Sequence, residues 1–219
     1  EEVKWLNSWF NFGDCLEYFG NLSENWFKIC SEFGPGVHLY LGNRRGHSMY
    51  AEHRFASLIW GLESLHRLSH IPASNSKQSK KVRRILDQIN STRDRKWAER
   101  FLPLTSEPAL PQRLIDLFAM LPLAIEKKQL SDFAERCGKR RNDVSHFGGV
   151  REPDGYDDFW NDIVDLSRAL DLLYHAILLQ LAGVPDLDIE RHFMSGRNAY
   201  AARAVLSQCG LDLQGAQAG

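Results

Sequence analysis

The chain has 219 residues, 43% hydrophobic and 25% charged, with a formal net charge of -1. These are ordinary values for a globular protein, and a charge so near zero supplies no overall basic field, so any nucleic-acid surface must be local. Cys15, Cys30, Cys137 and Cys209 are scattered with no C-x-x-C pair, which argues against a disulfide scaffold or a zinc ribbon and fits a reducing, cytoplasmic setting.

The opening Glu1-Glu2-Val3 carries neither a starting Met nor a signal-peptide pattern, so the chain reads as beginning partway through a longer protein. The first 35 residues are rich in aromatics, Trp5, Trp9, Phe10, Phe12, Tyr18, Phe19, Trp26, Phe27 and Phe33. They read as short helices that pack onto something, and residues 1–47 as the connection from an upstream domain. Residues 37–41 (Val37, His38, Leu39, Tyr40, Leu41) alternate like a short strand, bounded by the turn signals Gly34-Pro35-Gly36 and Gly42-Asn43.

From there helical periodicity dominates. Phe55, Leu58, Ile59, Leu62, Leu65 and Leu68 recur at spacings of three and four, which predicts a helix over 48–70, ended by Ile71-Pro72. A polar connection over 73–81 leads to a helix near 80–90. Residues 91–111 are charged, then punctuated by Pro103, Pro108 and Pro111. Pro111 can open a helix containing Leu114, Leu117 and Phe118. The next helix is predicted from Ser131 or Asp132, with Glu135 three residues on as a capping partner, to an end at Gly148-Gly149. The longest helix spans 156–181 and is closed by Gly183-Val184-Pro185. It is apolar but interrupted by Asp171, His175 and Gln180, as suits a core helix rather than a membrane span. A last helix covers 188–208, and 210–219 read as a flexible tail. The sum is an all-α bundle with two long helices, its main domain at 48–209.

The residues that carry chemistry cluster over 135–149. Asn142 and His146 are four apart and share a helix face. Arg141 stands five before His146, about 140° around the helix, and its length lets the guanidinium return to a shared ligand. No other histidine in the chain has an arginine five residues before it. The set suits RNA cleavage. His146 can take the proton of a ribose 2'-hydroxyl or protonate the leaving oxygen, Arg141 can stabilise charge at phosphorus, and Asn142 can orient the imidazole or donate to phosphate. Lys139 and Arg140 add positive charge for gripping phosphates, so they are the candidate RNA-binding residues. The scheme calls for no metal and no cofactor.

Blander readings stand beside this one. Arg141 and His146 could be an exposed basic helix end, with His146 capping carbonyls. Glu63-x-x-His66 has the spacing of di-iron bundles, with His70 a turn further on, but such sites need a second Glu-x-x-His and two more carboxylates. Glu63 could instead support the active site. The basic runs 77–84 and 93–100 could touch RNA, yet they read first as solvated helix faces. The early aromatics read as packing before base stacking.

The stretch Arg141-Asn142-Asp143-Val144-Ser145-His146 resembles the R-x4-6-H motif of the HEPN superfamily. The stretch from Phe55 to Arg67 is similar to the first long helix of the ApeA-like HEPN group, and the stretch from Leu172 to Leu179 to its apolar closing helix. The resemblance covers residues 48–185. It implies a metal-independent endoribonuclease of prokaryotic antiphage defence, acting as a toxic effector in abortive infection, with tRNA among the possible targets. It implies a homodimer with a composite cleft, a 2',3'-cyclic phosphate product and an upstream sensing domain. The alternative it leaves open is a catalytically silent HEPN module that binds nucleotide, RNA or a protein partner.

Overall fold

A computed structural model describes residues 12–45, 49–69, 77–102, 108–147, 155–195 and 198–214. In chain order the helices are α1 (Phe12–Cys15), followed by a 3-10 turn (Leu16–Tyr18), α2 (Phe19–Glu32), α3 (Gly34–Arg45), α4 (Ala51–Leu68), α5 (Lys77–Asp87), α6 (Thr92–Phe101), α7 (Leu110–Phe118), α8 (Lys127–Phe147), α9 (Tyr156–Leu181), α10 (Asp186–Met194) and α11 (Ala199–Gln208). Among the described residues the only extended pairing is an isolated bridge between Ile125 and Leu213. No helix among them is long and apolar enough to cross a membrane.

The helices expected over 48–70 and 156–181 form as α4 and α9 and carry much of the core, although α8, at 21 residues, is longer than α4, at 18. Phe55, Leu58, Ile59, Leu62 and Leu65 of α4 are fully buried, as are Ile163, Leu166, Leu170, Leu173, Tyr174 and Ile177 of α9. α3 lies along α4 and also touches α9. Their closest approach is set by two glycines. A Cβ on Gly36 would meet the Gly61 carbonyl oxygen at 3.2 Å, and a Cβ on Gly61 would meet the Tyr174 hydroxyl at 2.6 Å. That hydroxyl donates to the Gly36 carbonyl at 2.6 Å, so one buried hydrogen bond joins α3 and α9 across the gap left on α4.

The expected strand at 37–41 is helix instead. Val37 and Tyr40 are buried one turn apart beside Gly36, so the inward spacing is three, not two. Pro35 falls in the first turn, where its missing N–H leaves no helical bond unmade. Residues 19–45, expected as a connection, supply Ile29, Phe33, Val37 and Tyr40 to the same core. Of the early aromatics, Phe33 is buried while Phe12, Phe19 and Phe27 are exposed; Trp5, Trp9 and Phe10 lie outside the described residues, as do Ile71-Pro72, Pro103 and Gly148-Gly149.

Other boundaries differ for local reasons. α8 starts at Lys127, a turn before Ser131, because the Glu126 carbonyl already accepts from Leu130 N–H. The basic run 93–100, read as a solvated helix face, lies in α6, for which the sequence offers no apolar stripe to set bounds. Ser91 caps it, accepting from Asp94 N–H at 3.3 Å. The helix expected over 188–208 is two, α10 and α11. Beyond α11, Gly210 turns at φ 80° and lets Leu211 fold back to full burial, so the expected tail is packed over its first residues. Residues 215–219 lie outside the described set.

The glycine contacts predict opposite outcomes for two alanine substitutions. Gly61→Ala should lower the unfolding free energy by about 1–3 kcal/mol through overpacking against Tyr174. Gly42→Ala, in the same bundle but with nothing within 4 Å, should be neutral or stabilising by up to about 1 kcal/mol. Urea unfolding of the two variants measures both.

Candidate active site

The site is built on the last turns of α8, and its neighbours hold that helix on two sides. Phe133, Ala134 and Cys137 are buried on α8. At Gly138 the helix lies so close to α7 that a Cβ would meet Pro111 Cγ at 3.1 Å. Toward α9, both Arg136 and Arg140 donate to the Asp162 carboxylate. Arg140 also reaches Asp143 at 3.3 Å, and its guanidinium lies 5.4 Å from the centre of the Phe159 ring. Buried charges paired in this way fix an orientation more than they add stability.

Arg141, one residue on, is turned about 100° from Arg140 and faces α4 instead. Its Nη2 lies 3.6 Å from Glu63 Oε2, an ion pair in which the glutamate is largely buried. Its Nη1 donates to Asn142 Oδ1 at 3.4 Å. Its Nε is buried and makes no hydrogen bond with any described residue. His146 is exposed in the final turn of α8, and Asn142 and Lys139 are exposed on the same helix. The structure therefore places Arg141, Asn142 and His146 within the last two turns of one helix. It adds Glu63 as the group that holds the arginine. Arg140, read from sequence as a phosphate grip, has its guanidinium committed to Asp162 and Asp143.

The Glu63-x-x-His66 spacing resolves into two separate contacts. Glu63 turns to α8, whereas His66 turns to α7, where Nε2 lies 3.1 Å from Asp116 Oδ2. The other Asp116 oxygen accepts from Gln112 at 2.7 Å. Among the described residues no three His, Cys, Asp or Glu side chains gather as a metal site would require.

Burial separates the remaining reactive groups from this role. Burial, with Arg44 and His192 nearby, holds the His175 imidazole down at about 3, so it is neutral, and its Nδ1 shares a hydrogen bond with the Tyr40 hydroxyl, 2.6 Å away. Burial holds His192 at about 4. Burial pushes the Cys209 thiol up to about 11 and the Cys137 thiol well above its ordinary value, which leaves both poor nucleophiles.

The all-helical bundle is the architecture that the resemblance to HEPN-type domains implies. The family description Apea-like HEPN matches residues 57–187, more than half of the chain, and the chain belongs to that family. No curated protein and no solved structure matches it.

The two depressed histidines set a direction for acid unfolding. Both folded values lie below the ordinary 6.5, so the unfolded chain binds protons that the folded chain refuses. The histidine contribution to stability is complete above about pH 6.5 and is lost as the pH falls toward 4. Urea midpoints taken across that window should decline, and His175→Gln should flatten the decline.

Proposed function

We propose that this domain is a metal-independent endoribonuclease whose reacting groups are Arg141 and His146, with Asn142 assisting. The observation that carries the reading is the setting of Arg141. Its guanidinium is held from α4 by Glu63, its Nε is buried with no partner among the described residues, and an exposed histidine follows one and a half turns later on the same helix. A buried N–H without an acceptor is costly unless a ligand supplies one, and a phosphate oxygen is a fitting acceptor for a fixed guanidinium.

In this scheme the ribose 2'-oxygen attacks the adjacent phosphorus. The new O2'–P bond forms as the P–O5' bond breaks, leaving a 2',3'-cyclic phosphate and a 5'-hydroxyl. His146 takes the 2'-hydroxyl proton or gives one to the departing O5', and Arg141 neutralises charge on the non-bridging oxygens. Two copies facing each other in a homodimer would supply both proton-transfer partners from one residue type. Lys139 serves neighbouring phosphates. Arg140 is assigned a structural part, since its charge is already answered by Asp162 and Asp143. Membership of a HEPN family fits a nuclease or defence role; within it we assign RNA, tRNA included, as substrate, and toxicity in cytoplasmic antiphage defence as the purpose.

The test is cleavage of a bulk tRNA pool in EDTA. Wild type should cut and leave cyclic-phosphate ends, while His146→Ala and Arg141→Ala should each lose about 100-fold or more in rate. Glu63→Gln should fold normally and lose about tenfold or more, because the arginine is no longer held in place. If a confirmed dimer leaves tRNA intact, the nuclease reading is lost and a silent binding module takes its place; if His146→Ala cuts as well as wild type, the assignment of the reacting groups is lost.

A further inference from the structure

The α5–α6 hairpin carries a charge pattern unlike the rest of the chain. Residues 80–101 hold eight Lys or Arg against three acids. The segment is net +5 in a chain of net -1, so the remainder is net -6. The two helices pack on each other. On α5, Val82 and Leu86 face inward while Lys80, Lys81, Arg83 and Arg84 are exposed. On α6 only Ala98 is buried.

The acids of the hairpin are largely spent inside it. Arg95 pairs with Asp87 at 3.6 Å and with Glu99 at 3.2 Å, stapling one helix to the other. Arg93, Lys96 and Arg100 are exposed and pair with no described carboxylate. Around the helix, Lys96, Arg100, Arg93, Trp97 and Phe101 follow one another within an arc of roughly 140°. Trp97 is 64% exposed and Phe101 56%, with ring centres 4.9 Å apart and planes tilted by 45°. Large aromatics left in water on a small helix are an unusual expense unless something covers them.

We propose that the outer face of α6, continued by the cations of α5, is a docking surface for single-stranded RNA, with Trp97 and Phe101 stacking on bases while Arg93, Lys96 and Arg100 meet the phosphates. Stacking on aromatic side chains within a basic track is how unpaired strands are held without sequence readout. A membrane surface is the weaker occupant. A helix lying in a bilayer interface needs a broad apolar face, whereas the exposed apolar side chains of α6 are only Trp97 and Phe101, directly beside the three cations. The inference rests on the RNA-directed reading of the Arg141–His146 site and extends it to a second surface that brings substrate to the domain.

Affinity is read by fluorescence polarisation with a labelled single-stranded oligouridylate, in the full chain carrying His146→Ala so that nothing is cut. Trp97→Ala with Phe101→Ala should weaken binding about tenfold or more and leave the salt dependence unchanged. Arg93→Glu with Lys96→Glu and Arg100→Glu should weaken it further and reduce the slope of log K against log salt by about 2. Arg203→Glu, an exposed charge on α11, should change little. All these side chains are exposed, so thermal unfolding should stay at the wild-type midpoint and show that the fold is kept. Wild-type affinity in both hairpin variants overturns the proposal, as does a parent chain that binds no RNA. Loss of binding to phosphatidylserine vesicles with RNA affinity intact also overturns it and gives the surface to a membrane. A chain that binds RNA through the hairpin but never cleaves it fails the nuclease reading alone; a nuclease indifferent to the hairpin variants fails this one alone.

Discussion

The bundle depends on one buried hydrogen bond, from the Tyr174 hydroxyl of α9 to the Gly36 carbonyl of α3, made across the gap that Gly61 leaves on α4. A tyrosine hydroxyl at this depth must find an acceptor, because an unpaired one would carry its full desolvation penalty. The acceptor is available only if α3 lies flat on α4, and α3 can lie flat only if residues 36 and 61 have no side chain. One polar requirement therefore fixes the seating of three helices. Tyr40 stacks beside it, with its ring centre 5.0 Å from that of Tyr174, and uses its own hydroxyl on His175. The apolar stripes of α4 and α9 supply most of the burial. The hydroxyl contacts select which of several similar packings is adopted.

Three arginines on α8 then divide between two neighbours. Arg136 and Arg140, four apart, fall on one face and share Asp162 of α9. Arg141 is one residue further and looks the other way, to Glu63 of α4. The helix is thus gripped by both long helices at the turn where the candidate chemistry lies. A side chain fixed in this way spends little entropy when a phosphate arrives, which is the condition for precise electrostatic assistance.

Much of this was legible in the sequence because it repeats. The stripes of α4 and α9, the position of α8 and the Arg141–His146 spacing all follow from periodicities that a single chain displays. The misread segments fail for identifiable reasons. Val37 and Tyr40 sit in so short a run, between glycines, that period two and period three look alike, and Gly36, which suggested a turn, is there for contact with α4. α6 has a single buried residue, Ala98, so no apolar stripe exists to reveal it, although Ser91 and Asp94 carry a capping signature. The roles of Arg140 and Glu63 depend on Asp162 and Arg141, 22 and 78 positions away, and pairings at that distance leave no local trace. The same holds for His66, whose spacing to Glu63 suggested a metal while its partner, Asp116, lay on another helix.

The arrangement around α4 has a mechanical corollary. One rod carries the seat of α3 at Gly61 and, half a turn later, the anchor of Arg141 at Glu63. The same rod is keyed to α7 through His66. The seats of α3, Arg141 and α7 thus fall within about a turn and a half of one helix, so their spacing is ruled by the rise of α4 rather than by any loop.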